Sequence, residues 1–234
     1  MSIYTSIKYA KYYSTILLKN WFVNKSSYAQ HGEDSLIESI VGDDKITSFI
    51  DIGANDGVLF SNTFKFAKNG SYGLCIEPSC LPFKKLRLNH LIHPKVKCLN
   101  YAISDYKGNL YLQENGYENV LSRVSKTKIE GLSMVKSCSL LSTIRKYSKF
   151  SMVDLISLDV EGHELEVLKS WGPTPLNAKI IIVEIDKLNV DDLLTMSCLS
   201  QHTPGYSNGI NLILLKEDLK FNSSPSLPPG FQKC

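Results

Sequence analysis

Two short stretches carry the residue types that do chemistry. FIDIGANDG, Phe49 to Gly57, places Asp51 at the end of a run of β-formers and follows it with Gly53, Ala54, Asn55, Asp56 and Gly57. SLDVEGHE, Ser157 to Glu164, repeats the device: Asp159 ends an apolar run, and Glu161 and His163 follow. Aspartate is a poor strand former, and an acid at a strand's buried end needs a partner. A positively charged ligand would supply one, held where glycines let the chain turn tightly and backbone come close. Two further acids, Glu77 in CIEP and Glu184 in IIVEI, also end apolar runs. A carboxylate at Glu77 can accept both hydroxyls of a ribose, as the acid of a dinucleotide site does.

These residues need a scaffold that brings strand ends together. Strands are expected over 48–52, 72–77, 96–101, 153–159, 179–185 and 211–216, with a hairpin-like run over 109–113. Helical periodicity is expected in the stretch YAQHGEDSLIESIV and over 61–68, 82–89, 140–147, 163–170 and 190–198. Buried β-branched strands alternating with amphipathic helices mean an α/β domain with a mainly parallel sheet. In such sheets ligands bind beyond the carboxyl ends of the strands, where strand order reverses. The polar residues fall at those ends: Asp51, Glu77, the stretch 100–105 (NYAISD), Asp159 with Glu161 and His163, and Glu184. The segment 114–135 is polar and without clear period, and reads as an insertion or mobile loop, placed to shape an acceptor pocket if it returns over the strand ends.

The spacing also discriminates between ligands. G-A-N-D-G lacks the middle glycine of a dinucleotide loop, and Asp56 would set negative charge where a pyrophosphate should lie. No GxxxxGK[ST] occurs, so a P-loop is excluded. S-adenosylmethionine has no phosphate and carries a sulfonium and an ammonium, so it suits an acid-rich site. A nicotinamide-dependent oxidoreductase is the less favoured alternative, and a cofactor-binding partner subunit without transfer chemistry is another.

YAQHGEDSLI, FIDIGANDG, CIEP, NYAIS, SLDVEGHELEVL and IIVEI stand in the order and register of the FkbM-type S-adenosylmethionine-dependent methyltransferases, which the chain resembles over 28–216. The resemblance implies a class I (Rossmann-like) fold, with a mainly parallel seven-stranded sheet and helices on both faces. It implies an O-methyltransferase acting on a hydroxyl of a sugar, a glycan or a small natural product. The expected cofactor positions are Gln30, Asp51, Gly53, Ala54, Asn55, Asp56, Gly57, Glu77, Pro78, Ala102 and Ile103. A hydroxyl is a weak nucleophile until a base takes its proton or a metal lowers its pKa. The candidate catalytic residues are Asp159, His163 and Glu161, and Asp159 with Glu184 are candidate ligands of a divalent metal. Gln30-x-x-Glu33-Asp34 either folds over the cofactor or starts a helix. The run 199–211, around Gly205-Tyr206, is short for the pattern and leaves the last hairpin's shape open.

Composition bounds the rest. At 234 residues, 43% hydrophobic and 21% charged, the chain has the balance of a soluble globular protein. A net charge of +3 gives no reason to expect nucleic acid. Six cysteines without metal-ligand spacing favour a reduced, intracellular setting. The leader, 1–27, breaks its apolar run with Lys8 and Lys11 and is expected to be a helical cap, with a membrane-surface helix as the alternative. The Pro/Ser-rich tail, 217–234, is expected to be poorly ordered.

Overall fold

A computed structural model describes residues 14–113, 123–125, 132–147 and 153–234. An eight-stranded sheet forms its centre, in the order β12-β10-β11-β9-β8-β1-β2-β3. Its parallel heart is β1 (Ser48–Ile52), β2 (Tyr72–Ile76), β3 (Val96–Leu99), β8 (Val153–Leu158) and β9 (Ala178–Glu184). β11 (Asn211–Lys216) runs antiparallel to β9, and β10 (His202–Ser207) antiparallel to β11. The chain leaves β1 toward β2 and β3 on one side, and later builds β8 and β9 on the other, so strand order reverses between β1 and β8.

The two faces of the sheet follow from side-chain alternation along each strand. Ile50, Ile52, Leu74, Ile76, Ile156, Leu158, Ile181 and Val183 pack with α5 (Leu140–Lys146), α6 (Glu164–Lys169) and α7 (Val190–Leu194). Phe49, Cys75, Leu155, Ile180 and Ile182 face the other way, toward α2 (Glu33–Val41), α3 (Phe64–Lys68) and α4 (Cys80–Asn89). Helices therefore cover both faces. A further helical stretch, α1, occupies residues 14–22. It is held to the domain by Asn20 and Trp21, which donate to Asn89, and by Lys68 Nζ, which donates to the main-chain oxygens of Asn20, Trp21 and Val23.

Several details differ from the sequence expectations. The run expected over 96–101 splits: β3 ends at Leu99, and β4 (Ala102–Ile103) joins a second sheet, β4-β7-β5-β6, with β5 (Gly108–Gln113), β6 (Arg123–Ser125) and β7 (Ser133–Cys138). Part of the expected insertion is thus strand; positions 114–122 and 126–131 lie outside the described residues. The helix expected over 190–198 stops at Leu194 and is followed by a 3-10 turn, Ser197–Leu199. The last hairpin, whose shape the sequence leaves open, pairs β10 with β11; its register shifts between Pro204 and Tyr206, the kind of irregularity that admits a proline. The tail is not loose: Asn222 N donates to Ile40 O at 2.8 Å, Phe231 is buried, and β12 (Gln232–Lys233) pairs with β10.

Candidate functional site

Gly53 explains how the two acid-bearing strand ends come to lie side by side. Its φ is +89°, and a Cβ there would stand 1.7 Å from the Asp159 main-chain oxygen. The turn after β1 therefore touches the turn after β8, and Asp159 N donates to Ile52 O at 3.1 Å. The close approach expected of a ligand at this glycine is taken by the chain's own backbone. Gly57 likewise faces protein, since a Cβ there would meet Leu86 and His90 at 2.5 and 2.8 Å. Asp56 closes its own turn, accepting from Val58 N and Leu59 N. Asp56 and Gly57 are therefore outside the lining of the cleft and shape its floor from behind.

Every other candidate residue lines a single cleft at the switch point: Gln30, Asp51, Gly53, Ala54, Asn55, Glu77, Pro78, Ala102, Ile103, Asp159, Glu161, His163 and Glu184. Glu33 and Asp34 do not line it. They start α2 and are fully buried; Glu33 accepts from His31 N and Asn211 Nδ2, and Asp34 from Tyr28 N and Ser35 N. The sequence readings missed Tyr101, Leu112, Asn62 and the rim residues Leu59 and Phe60, which also line the cleft. Thr63, one residue before α3, is a further omission: its hydroxyl donates to Asp51 Oδ2 at 2.6 Å. The stretch SNTF gave a local signal, because Ser61 Oγ accepts from Thr63 N and Phe64 N as a hydroxyl at a helix start does.

The electrostatics are those of an acid-rich pocket short of cations. Burial lifts the Asp51 carboxyl to about 6, against a smaller opposing pull from the Thr63 hydroxyl. Burial likewise lifts Glu77 to about 7, although Glu77 Oε1 accepts Ser79 N at 2.6 Å and Oε2 accepts Asn55 N at 2.9 Å. Asp159 is exposed to the cleft, yet the surrounding walls and the nearby Glu184 and Glu161 hold its carboxyl well above the ordinary range. Glu184, lifted to about 7 by burial and then by Glu161, completes the cluster. Asp159, Glu161 and Glu184 offer oxygens within 4.8 Å of one another. Lys187 pairs with Glu161. Among the described residues, no ion pair is formed by Asp51, Glu77 or Asp159.

The site is held by strained backbone. Among the described residues, the non-glycine positions with positive φ are Asn55, Phe60 and Glu161, at 47°, 58° and 59°, and all three line the cleft. Such conformations persist where the surroundings over-determine them, and they cluster at functional sites. Glu164 Oε1 accepts from Val160 N and Gly162 N, which folds the loop after β8 and presents His163 at the start of α6. His163 Nε2 lies 3.0 Å from Ser104 Oγ, and its Nδ1 lies 3.6 Å from Glu166.

This cleft fits S-adenosylmethionine. Two buried acids at adjacent strand tips face a cavity that lacks neutralising cations, which favours a cationic ligand and opposes a phosphate. Each Glu77 oxygen has a lone pair left after its main-chain bond, enough to accept from a ribose. Ile76, Ala102, Ile103 and Leu112 supply apolar wall for a flat base.

Comparison with known proteins agrees. The sequence profile described as "Methyltransferase FkbM domain" matches residues 51–202. Curated protein sequences yield no match. Among solved structures, a human methyltransferase 10 domain containing protein superposes with a TM-score of 0.50 at 11% identity, covering 94% of this chain and all (100%) of that one. The METTL16 MTase domain gives 0.51 at 12% identity, covering 89% of this chain and 79% of that one. Methyltransferase FkbM from Methylobacillus flagellatus KT gives 0.45 at 13% identity over 73% of this chain, which spans 43% of the length of that structure. The profile runs from Asp51 at the tip of β1 to the first residue of β10, through the elements that build the cleft, and the chain belongs to the FkbM methyltransferase family.

Proposed function

We propose that this protein transfers a methyl group from S-adenosylmethionine to a hydroxyl of a sugar, a glycan or a small natural product. One observation carries the reading: Asp159, a carboxyl held well above its usual range, shares a single cleft with the buried acids Asp51 and Glu77. When bound, the cofactor supplies an electrophilic methyl group. Gln30, Asp51, Glu77, Ala102 and Ile103 would hold it, the acids meeting its positive charge and its ribose. Asp159 takes the proton of the acceptor hydroxyl, since a carboxylate whose pKa is raised is a stronger base than an ordinary one. His163, set between Ser104 and Glu166, positions the acceptor. Burial, and after it Glu184 and Glu161, keep the Asp159 pKa high.

Calorimetric titration with S-adenosylhomocysteine, on wild type, Asp51→Ala and Glu77→Ala, tests the cofactor half. Affinity should fall at least about tenfold in each variant, the loss of a charge-assisted hydrogen bond or more. An acceptor screen with labelled methyl donor, begun on sugars, tests the chemistry. Asp159→Asn should then lose at least about a hundredfold in turnover while keeping cofactor affinity. Intact binding with no turnover on any hydroxyl would favour a cofactor-binding partner subunit instead.

The Asp159, Glu161 and Glu184 oxygens also suit a hard divalent ion, although Lys187 already neutralises part of that charge through Glu161. Protein stripped with a chelator should gain thermal stability on addition of Mg2+ or Mn2+ if the triad is a metal site, and Glu184→Gln should abolish that gain. An unchanged melting temperature would leave the triad as a device for raising the Asp159 pKa.

A further inference from the structure

The side of the molecule built on α1 and α4 carries a surface that methyl transfer does not use. The contact between the two helices runs through Asn89, whose side-chain and main-chain oxygens accept from Asn20 Nδ2 and Trp21 Nε1, each at 3.0 Å. Polar groups are thereby spent between the elements, and apolar ones are left outside. Phe22 is 71% exposed and Leu91 68% exposed, with Leu18, Leu88 and Ile92 also exposed. Along α4, Leu81, Lys84 and Leu88 fall at i, i+3 and i+7, one outward face.

Charge identifies what covers it. Residues 1–32, 57–76 and 78–104 contain no Asp or Glu. Lys19, Lys25, Lys84, Arg87 and Lys95, in these stretches, are all exposed. These stretches hold eleven Lys and Arg and no acid, against a net +3 for the chain as a whole. A second copy would bring the same cations face to face with themselves. Nucleic acid would engage the cations and leave the branched aliphatic side chains without a role. Exposed aliphatic and aromatic groups ringed by Lys and Arg are the chemistry that lies in the interface of an anionic bilayer.

We propose that this face, Leu18 and Phe22 of α1 with Leu88, Leu91 and Ile92 at the end of α4, docks on an anionic lipid surface. The face is tied to the cleft: Asn89 Nδ2 donates to Asp56 O at 2.8 Å, and Asp56 holds the turn leading to Leu59 and Phe60, two exposed apolar residues on the cleft lining. Docking there sets the cleft rim near the lipid headgroups. The inference stands on the surface alone and does not depend on the methyl acceptor.

Co-sedimentation of the full chain with phosphatidylcholine vesicles, with and without phosphatidylserine, is the test. Partition onto the anionic vesicles should exceed that onto pure phosphatidylcholine by at least about tenfold, and high salt should reduce it. Phe22→Glu/Leu91→Glu should lower partition at least about tenfold, with melting temperature and S-adenosylhomocysteine affinity unchanged. Lys84→Glu/Arg87→Glu, at positions already in solvent, should do the same and carries the test if the first variant misfolds. Absence of partition, or partition that both variants leave intact, would overturn the proposal. So would a solution dimer that Phe22→Glu/Leu91→Glu dissolves, or RNA binding in place of vesicle binding.

Discussion

At the scale of single residues, the cleft is a store of unfavourable ionisation energy that a cationic ligand would relieve. Asp51 at about 6 and Glu77 and Glu184 at about 7 all bind protons more readily folded than unfolded. A group with a raised folded pKa adds stability when protonated and loses it as pH rises from its unfolded value through its folded one. The ligand-free protein should therefore melt at a higher temperature near pH 5 than near pH 8. S-adenosylmethionine affinity should move the other way, rising over the same window as Asp51 and Glu77 become anionic. Differential scanning fluorimetry and calorimetry across that range check both, and parallel rather than opposite trends would remove the charge argument. Asp154 works in the reverse sense: although burial resists its ionisation, Lys179 and Thr47 hold its pKa below the usual value, so its contribution fades only in strong acid.

At the scale of elements, the turns after β1 and β8 act as one unit. Gly53→Ala would both force a side chain into a positive-φ conformation and drive its Cβ into Asp159 O. It should cost at least about 3 kcal/mol in urea denaturation, beyond the backbone strain alone. Asp154 provides the contrast at the opposite end of β8. It accepts from Thr47 N, Thr47 Oγ1 and Ser48 N, pairs with Lys179 at 2.8 Å, and locks β1, β8 and β9 together. Asp154→Ala should destabilise by about 2 kcal/mol, because it strips three part-buried donors and Lys179 of their common acceptor. Cofactor affinity should hardly change, since the β8 tip lies roughly 16 Å further along the strand. Equal damage to affinity and stability would show that the two ends of the sheet are coupled.

At the scale of the whole molecule, the chain closes on itself. The tail crosses back to α2 through Asn222 and delivers Phe231 into the cluster of Phe49, Leu155 and Ile180, and β12 then covers the edge of β10. Phe231→Ala should cost about 3 kcal/mol, the usual loss for a buried aromatic, and be read in the same denaturation experiment. A loss near zero would mean that the tail rests on the domain without supporting it. No helix among the described residues is long and apolar enough to cross a membrane.

The sequence by itself determined the parallel sheet and the places where its chemistry sits. β-Branched runs such as SFIDI and AKIIIVE can be satisfied only as buried strands, and an acid at the tip of each has no local use, so Asp51, Glu77, Asp159 and Glu184 were legible one strand at a time. What only the tertiary structure decided is which of these residues meet. Gly53 reads as room for a ligand until the Asp159 carbonyl is found against it, and Asp56 reads as a site residue until its turn is seen to close upon itself. Ser104 and Asn89 gave no signal of their roles because each partner lies far away along the chain, and SNTF signalled the start of a helix but not the bond from Thr63 to Asp51. The tail was misread for the same reason: proline and serine set local flexibility, whereas the burial of Phe231 depends on a core assembled from strands at distant points in the sequence. Local sequence specifies a strand and its polar tip; the spatial arrangement of those tips, and the charge they impose on one another, comes into being only when the sheet assembles.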